Sequence, residues 1–395
     1  MRRKMTSLMK AIGLMGLVLS LLLLAGGKPS QAAEPIKIGV VVSTTGMFNW
    51  LGNPEIKAIT VVADEVNRQG GLFGRPIKLF VEDDQSNATT STIAATKLIR
   101  DEKVSCIIGA SGVDGAMAMI PICEREGVSQ LPLVPLTIPL KKWVFLTCLD
   151  DYFLSDKMVA FTVKELGARK IANLHDASIY GLKGANGVKD HAGKHGATIV
   201  IDEQFEQTDT NMIPQLTKTK AAKPDAIVLF TGATSAAVIA KNMQQLGMKM
   251  RVVTGGGVPS KEFPQLAGKT VENGRWVPFD PMDLYAEQLP PNDPFRKNLY
   301  DPLFKAIKAK YGENTEWDGF FRNGNDPIHI VIEALKIAKT DDRVALRDAL
   351  EKVKYDGFLG DFAYSPKDHL GTTGETFVPI IIKDGKYWPY PYKKK

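Results

Sequence analysis

The chain has few of the residues from which reactive or cross-linked sites are built: three cysteines and five histidines in 395 residues. Cys106, Cys123 and Cys148 show neither CxxC nor metal-ligand spacing, which argues against a zinc centre and against a disulfide-stapled fold. One bridge, Cys106 to Cys123, is allowed by an oxidising compartment but required by nothing, and Cys106 in VSCIIG reads as a small buried hydrophobe. His191 and His195 stand four apart in HAGKH, yet no third ligand accompanies them, so the pair reads as solvated helix surface and no metal is expected. There is no GxSxG, HExxH or GxxxxGK[ST] run, and no nucleophile beside a visible base. Nothing points to an enzyme, and no cofactor is expected.

A large excess of charge is missing too. The formal +6 includes Arg2, Arg3, Lys4, Lys10 and Lys28 and no acid from the same leading segment, so losing that segment brings the chain to +1. Such a balance excludes nucleic acid and an anionic membrane surface as expected partners. The leading segment itself is cationic (MRRKMTSLMK), then apolar from Ala11 to Gly26, then small and polar (GKPSQAAEP). This is the pattern of a cleavable secretory signal peptide, residues 1–32, with cleavage preferred after Ala32. No cysteine follows closely, so the reading is a soluble exported protein, periplasmic, with no lipid anchor and no stable membrane insertion after cleavage.

What remains is long enough, at 44% hydrophobic, for two sizeable cores. β-branched runs alternate with helical patterns: IKIGVVV before a helix at 55–69, PIKLFVED before one at 89–102, VSCIIGA before one at 115–125. The rhythm restarts with KIANLHD, ATIVIDE, PDAIVLFTG and MRVVTGGG, with helical segments at 183–195, 212–222 and 233–246 between them, and breaks at the proline-rich VPFDPMDLYAEQLPPNDPF. Helical patterns follow at 302–311, 327–338 and 343–353, then short strands. Alternation of this kind predicts an α/β fold with two doubly wound parallel-sheet lobes around a central cleft. Ligands bind such sheets beyond the carboxyl ends of the strands.

The loop after the first strand, STTGMFNWLGN, lacks glycines at nucleotide-binding spacing and offers hydroxyls, Phe48 and Trp50 instead, which suits a small organic solute or a capped turn. IIGASGVDGAMAM opens a helix whose free N–H groups can accept a carboxylate. Glu82 to Asp84 end a strand and read as a cap ahead of a cation site.

Over nearly the whole mature chain these residues resemble the leucine/isoleucine/valine-type periplasmic solute-binding proteins of ABC transporters. NRQGGLFGRPIKLFVEDDQSN is the most specific stretch, and KKWVF, DASIYG, TDTNMIPQLTKTKAAKPDAIVL, LGMK, LAGKTVENG and YSPKDHLG match in order. The resemblance implies a type I periplasmic binding fold crossed three times by the chain, with residues 33–149 and 277–355 in the N-terminal lobe and 150–276 and 356–395 in the C-terminal lobe. It implies capture of a small-molecule solute by a monomer that delivers it to an inner-membrane ABC permease. A sensor presenting the solute to a membrane receptor and an exported α/β enzyme are the alternatives.

Carried over residue by residue, the family's carboxylate-binding hydroxyl falls on Val113, beside Asp114 and two residues after Ser111. Thr137 is the hydroxyl left in the next loop, Tyr180 matches a ligand-contacting tyrosine, and Thr231 adds a hydroxyl in the second lobe. The family's ammonium-binding glutamate falls on Gly256. With that anchor gone, the expectation is a small organic acid or aromatic solute lined by Phe48 and Trp50, with Arg322 of GFFRN available to a carboxylate. Asp114 as a replacement ammonium partner is the competing expectation.

Overall fold

In the computed structural model, which describes residues 34–391 apart from 261, 273, 373 and 375, the first strand follows from its composition. β1 (Ile36–Val42) is apolar at nearly every position and buried on both pleat faces, as a strand covered by helices on each side must be. The signal peptide expected at 1–32 lies outside the described residues.

β1 is followed by α1 (Asn49–Arg68), β2 (Ile77–Asp83), α2 (Ala88–Arg100), β3 (Cys106–Gly109), α3 (Val113–Glu126) and β4 (Ser129–Leu131). These strands form a parallel sheet in the order β2-β1-β3-β4. The chain then crosses to α4 (Asp151–Lys164), β5 (Lys170–Asp176), α5 (Ile179–Ala192), β6 (Thr198–Phe205), α6 (Ile213–Ala221), β7 (Ala226–Phe230), α7 (Ala233–Gln245), β8 (Arg251–Thr254), α8 (Glu262–Ala267) and β9 (Trp276–Asp280). It returns for α9 (Asp301–Tyr311), α10 (Phe321–Ala338), α11 (Arg343–Leu350), β10 (Lys354–Asp356) and β11 (Asp361–Ala363), whose apolar faces join the core of the first sheet. A last crossing adds β12 (Val378–Lys383), antiparallel to β9, and β13 (Lys386–Pro389), antiparallel to β12, giving the second sheet the order β13-β12-β9-β8-β7-β5-β6.

Sequence places the later crossings at 276/277 and 355/356, and the structure moves both downstream. Val277 and Phe279 pack with Val228 and Val253 of the second sheet, because β9 pairs with β8 from Trp276 to Pro278. Phe358, Phe362 and Tyr364 fill the first core with Ile36 and Ile38. The final segment is therefore shared between the lobes.

Two helices begin earlier than periodicity predicts. They start at Asn49 and Phe321 rather than 55 and 327, and carry Pro54 and Pro327 inside. Proline removes a donor and crowds the carbonyl four residues back, so it reads as a start signal, yet close helix packing overrides it here. A Cβ on Gly324 of α10 would lie 2.2 Å from the Glu55 carbonyl oxygen of α1, so only glycine admits this approach.

In both sheets the strand order reverses beside the first strand, between β1 and β3 and between β5 and β7. The loops leaving those four strands are the ones the fold brings to the crevice. Gly184 of α5 sets the second pair: a Cβ there would lie 2.1 Å from the Phe230 ring at the end of β7. Gly184→Ala should overpack this contact and destabilise by about 1–3 kcal/mol, lowering the urea midpoint at unchanged slope. An unchanged midpoint would show that α5 and β7 have room to part.

Candidate functional site

The first-lobe floor is a set of hydroxyls and carboxyls that bond one another. Asp83 and Asp84, at the end of β2, hold the loop that follows β1: Asp83 Oδ1 accepts from the Thr44 N–H at 3.0 Å, and the Thr45 hydroxyl donates to Asp83 Oδ2 at 2.7 Å. The Ser43 hydroxyl donates to Asp84 Oδ1 at 2.6 Å, and Ser91 donates to Asp84 Oδ2 at 2.9 Å. The acids expected to cap a helix instead fasten the opening loop, while Asn87 caps α2. Ser111, after β3, is fully buried; its oxygen accepts from the Ser43 N–H at 3.1 Å and lies 2.6 Å from Glu55 Oε2. The Phe48 ring covers Gly112, where a Cβ would come within 2.9 Å of it.

Glu55 is the group at this floor that the sequence reading missed. It has no exposed surface, its Oε1 has no hydrogen-bond partner, and burial pushes its carboxyl up to about 8. The Ser111 hydrogen bond opposes that rise, while Asp318 and Asp84 reinforce it. The signal was present: Glu55 shares a buried helical stripe with Ala58, Ile59 and Val62.

On the second lobe, Asp176 at the end of β5 collects donors. The Thr231 hydroxyl reaches its Oδ2 at 2.9 Å, Gln207 Nε2 reaches it at 3.1 Å, and the Ser178 N–H reaches Oδ1 at 3.0 Å. Tyr180, in the first turn of α5, accepts the Gly257 N–H on its hydroxyl at 2.9 Å and lies against Gly255 and Gly257. Gly256 stands between them with nothing but Phe377, 4.0 Å from a would-be Cβ, so its position is open. At the first crossing Asp150 caps α4 through the Tyr152 N–H at 2.7 Å, takes the Lys183 ammonium at 2.7 Å and receives the Thr137 hydroxyl. Asp151 beside it is pushed up to about 7 by burial, against the pull of Lys183.

Arg322 departs from expectation. It is 5% exposed and bound inside the protein, Nη2 to Asp280 Oδ1 at 2.9 Å and Nη1 to Asp283 at 3.2 Å, with Trp317 Nε1 donating to Asp283 Oδ2 at 2.9 Å. Burial raises both carboxyls and the guanidinium opposes it. A guanidinium already shared by two acids is not a free receptor for a solute carboxylate, and its place between α10 and the end of β9 makes it a clamp at the second crossing.

The structure thus brings Phe48, Ser111 and Val113 to the β1/β3 reversal, and Tyr180 and Thr231 to the β5/β7 reversal with Gly256 in the loop after β8. Trp50 is exposed and meets Phe320 edge-on at 5.0 Å. Asp114 is exposed in the first turn of α3. Thr137 and Thr231 have their hydroxyls engaged by Asp150 and Asp176. A cavity of about 260 Å³ lined by Met243, Met248, Lys249, Arg275 and Trp276 opens at the amino ends of β8 and β9, opposite the crevice. All three cysteines are buried free thiols, and no metal-binding cluster occurs among the described residues. His191 and His195 both face Asp156, at 3.4 and 2.8 Å.

A family model described as periplasmic binding protein matches residues 35–386. A Leu/Ile/Val-binding protein homolog of Brucella melitensis is 23% identical over 368 residues, covering 91% of this chain and 95% of that one. A leucine-, isoleucine-, valine-, threonine- and alanine-binding protein of Pseudomonas aeruginosa is 22% identical over 348 residues, 86% and 88% of the two chains. Among solved structures, an extracellular ligand-binding receptor from Rhodopseudomonas palustris superposes with a TM-score of 0.77 at 25% identity, covering 90% of this chain and 99% of that one. A Streptococcus pneumoniae branched-chain amino acid transporter substrate binding protein, solved with isoleucine, superposes at 0.74 with 23% identity, covering 90% and 98%. These relatives are binding proteins rather than enzymes.

Two outcomes follow from the buried charges. Between pH 4.5 and about 8 only the folded state holds a proton on Glu55, so unfolding releases it and stability falls as pH rises. Glu55→Gln should remove this slope, the variant gaining on the wild type from pH 5 to pH 9 by several kcal/mol, on the order of 5 at most, in urea unfolding. Parallel curves would mean that Glu55 is not protonated in the fold. Arg322→Met should strand Asp280 and Asp283 and destabilise by about 3–5 kcal/mol. A stable variant that loses only solute affinity would return Arg322 to the solute.

Proposed function

The chain belongs to the periplasmic binding protein family, and from that premise we propose that it is the solute-binding component of a branched-chain-amino-acid-type ABC importer. It takes a small amino-acid-like or carboxylate solute between its lobes in the periplasm, as a monomer, and hands it to an inner-membrane permease. The observation that carries this reading is the chemistry of the two crevice-facing ends. Apolar side chains are exposed there on both lobes, Met47 and Trp50 beyond β1, Phe153 at the start of α4, Ile179 and Leu182 at the start of α5. Exposed apolar side chains at strand ends suit the walls of a ligand groove, and the floors below them are polar. An amphipathic solute of small size matches both.

The N-terminus of α3 supports the carboxylate part. Its cap, Gly112, has no side chain to satisfy the first N–H groups, so Val113 and Asp114 present free backbone donors and a positive helix end beside Ser111. Arg322, held by two acids, offers the solute no free cation with which to select an organic acid. Isoleucine in the Streptococcus structure and the names of the Brucella and Pseudomonas relatives favour an aliphatic α-amino acid, while the open space at Gly256 favours a solute without an ammonium anchored there.

Transport follows from differential affinity. A solute that touches both lobes binds the closed form better and shifts the population toward it by that difference, which lets a permease tell loaded from empty protein. Among the described residues no helix is long and apolar enough to cross a membrane.

Native mass spectrometry of protein purified without refolding, then a thermal-shift panel of aliphatic and aromatic α-amino acids beside their deaminated acids, tests the reading. A ligand at 100 times its Kd should stabilise by about 2.7 kcal/mol and be recovered unaltered. Trp50→Ala should weaken the same ligand at least about tenfold, the loss of roughly 1.4 kcal/mol of apolar contact. A chemically changed ligand, or full affinity without Trp50, would contradict it.

A further inference from the structure

The Ser111 hydroxyl is held on two sides. The Ser43 N–H donates to its oxygen at 3.1 Å, and Glu55 Oε2 lies 2.6 Å away. A hydroxyl has one hydrogen and two lone pairs, so the direction of the Ser111–Glu55 bond decides what is left for anything else. With Glu55 ionised, Ser111 must donate to it, and its only hydrogen is engaged. With a proton on Oε2, Glu55 donates, Ser111 accepts both bonds, and its own hydrogen is released from Glu55.

The surroundings favour the second arrangement. Glu55 Oε1 is buried without a partner, a costly position for a charged oxygen and a far milder one for a neutral acid. The titratable groups that face Glu55 are Asp84 from the turn after β2, Asp318 from the turn before α10, and the Cys148 thiol from the first crossing. Asn323 faces it as well; its Nδ2 donates one hydrogen to the Leu133 carbonyl at 3.1 Å, and the other opposes the rise only weakly, as the last of its causes. The nearby cation, Arg322, is held by Asp280 and Asp283. Asp318 and Asp84 thus resist ionisation, with no free cation facing Glu55 among the described residues, in line with a carboxyl raised to about 8.

We propose that Glu55 is a proton-linked positioning residue: when protonated it frees the Ser111 hydroxyl to donate to an anionic carboxylate oxygen of the bound solute. This rests on the crevice being the solute site and adds to it a rule for which solutes bind and when. Carboxylate affinity is level up to about pH 8 and falls about tenfold per pH unit above it, because binding there must first take a proton from solvent.

The test is titration calorimetry of L-leucine and of 4-methylpentanoate, the same skeleton without an amine to titrate, from pH 6.5 to 9.5 in two buffers of different ionisation enthalpy. The wild type should lose affinity above about pH 8 and show buffer-dependent heat from proton uptake. Glu55→Gln, whose amide N–H donates to Ser111 at every pH, should bind equally at pH 6.5 and 9.5 with no buffer dependence. Flat wild-type affinity, or the same fall in the glutamine variant, overturns the proposal. Infrared difference spectra between the two proteins without solute add a second reading: a carboxylic-acid band in excess in the wild type at pH 6.5, beyond what Asp151 and Asp280 give in both proteins, and lost above about 8 supports it. Absence of that band overturns the proton-linked role and leaves the solute site standing. Failure of both carboxylates at every pH, with the band present, overturns the ligand class and the transport reading together.

Discussion

A carboxylate removed from water must find donors, pair with a cation or give up its charge, and the strand ends of both lobes are arranged around that constraint. Asp84 and Asp176 find donors among serines and threonines, and in doing so fix the loops after β1 and β5. Asp280 and Asp283 find Arg322. Glu55 finds one hydroxyl and is pushed toward neutrality instead. Loop shape, crossing geometry and the donor inventory of the crevice floor all follow from how these acids are satisfied.

The consequence for recognition is that most hydroxyls expected to meet a solute are already engaged. Ser43, Thr45, Thr137 and Thr231 each donate to an acid of the protein. On the reading proposed, specificity rests on groups left free: backbone N–H groups at the start of α3, the apolar lips around Trp50 and Ile179, and Ser111 to the extent that Glu55 permits it. The same economy of donors makes the Arg322 clamp structural, since a guanidinium between two buried acids holds the second crossing at a defined point.

The fold was largely legible, because its signals are collective. β-branched runs such as IKIGVVV and PDAIVLFTG have no other use than buried strands, and their alternation with helical patterns specifies parallel sheets. The crossing points were misplaced by a few residues, since pairing of Trp276–Pro278 with β8 and of Phe279 and Asp280 with β12 is a tertiary choice that local pattern does not encode. Pro54 and Pro327 misled the helix starts for the same reason, packing outweighing propensity. The site was legible by position and not by role. Sequence locates Ser111, Tyr180 and Thr231 near the strand ends, but whether a hydroxyl or a guanidinium is free depends on partners as distant as 68 residues for Ser111 and Ser43. Glu55 was hidden because a charged residue in a helix is usually solvated, and only its place on the apolar stripe marks it otherwise.

The central claim is that two lobes close on one small solute. Small-angle X-ray scattering of the protein, bare and then saturated with the ligand that native mass spectrometry finds, tests it most directly. The account predicts a smaller radius of gyration with solute and a return to the open profile when it is dialysed away. Identical profiles with the site full would contradict closure as the signal of loading.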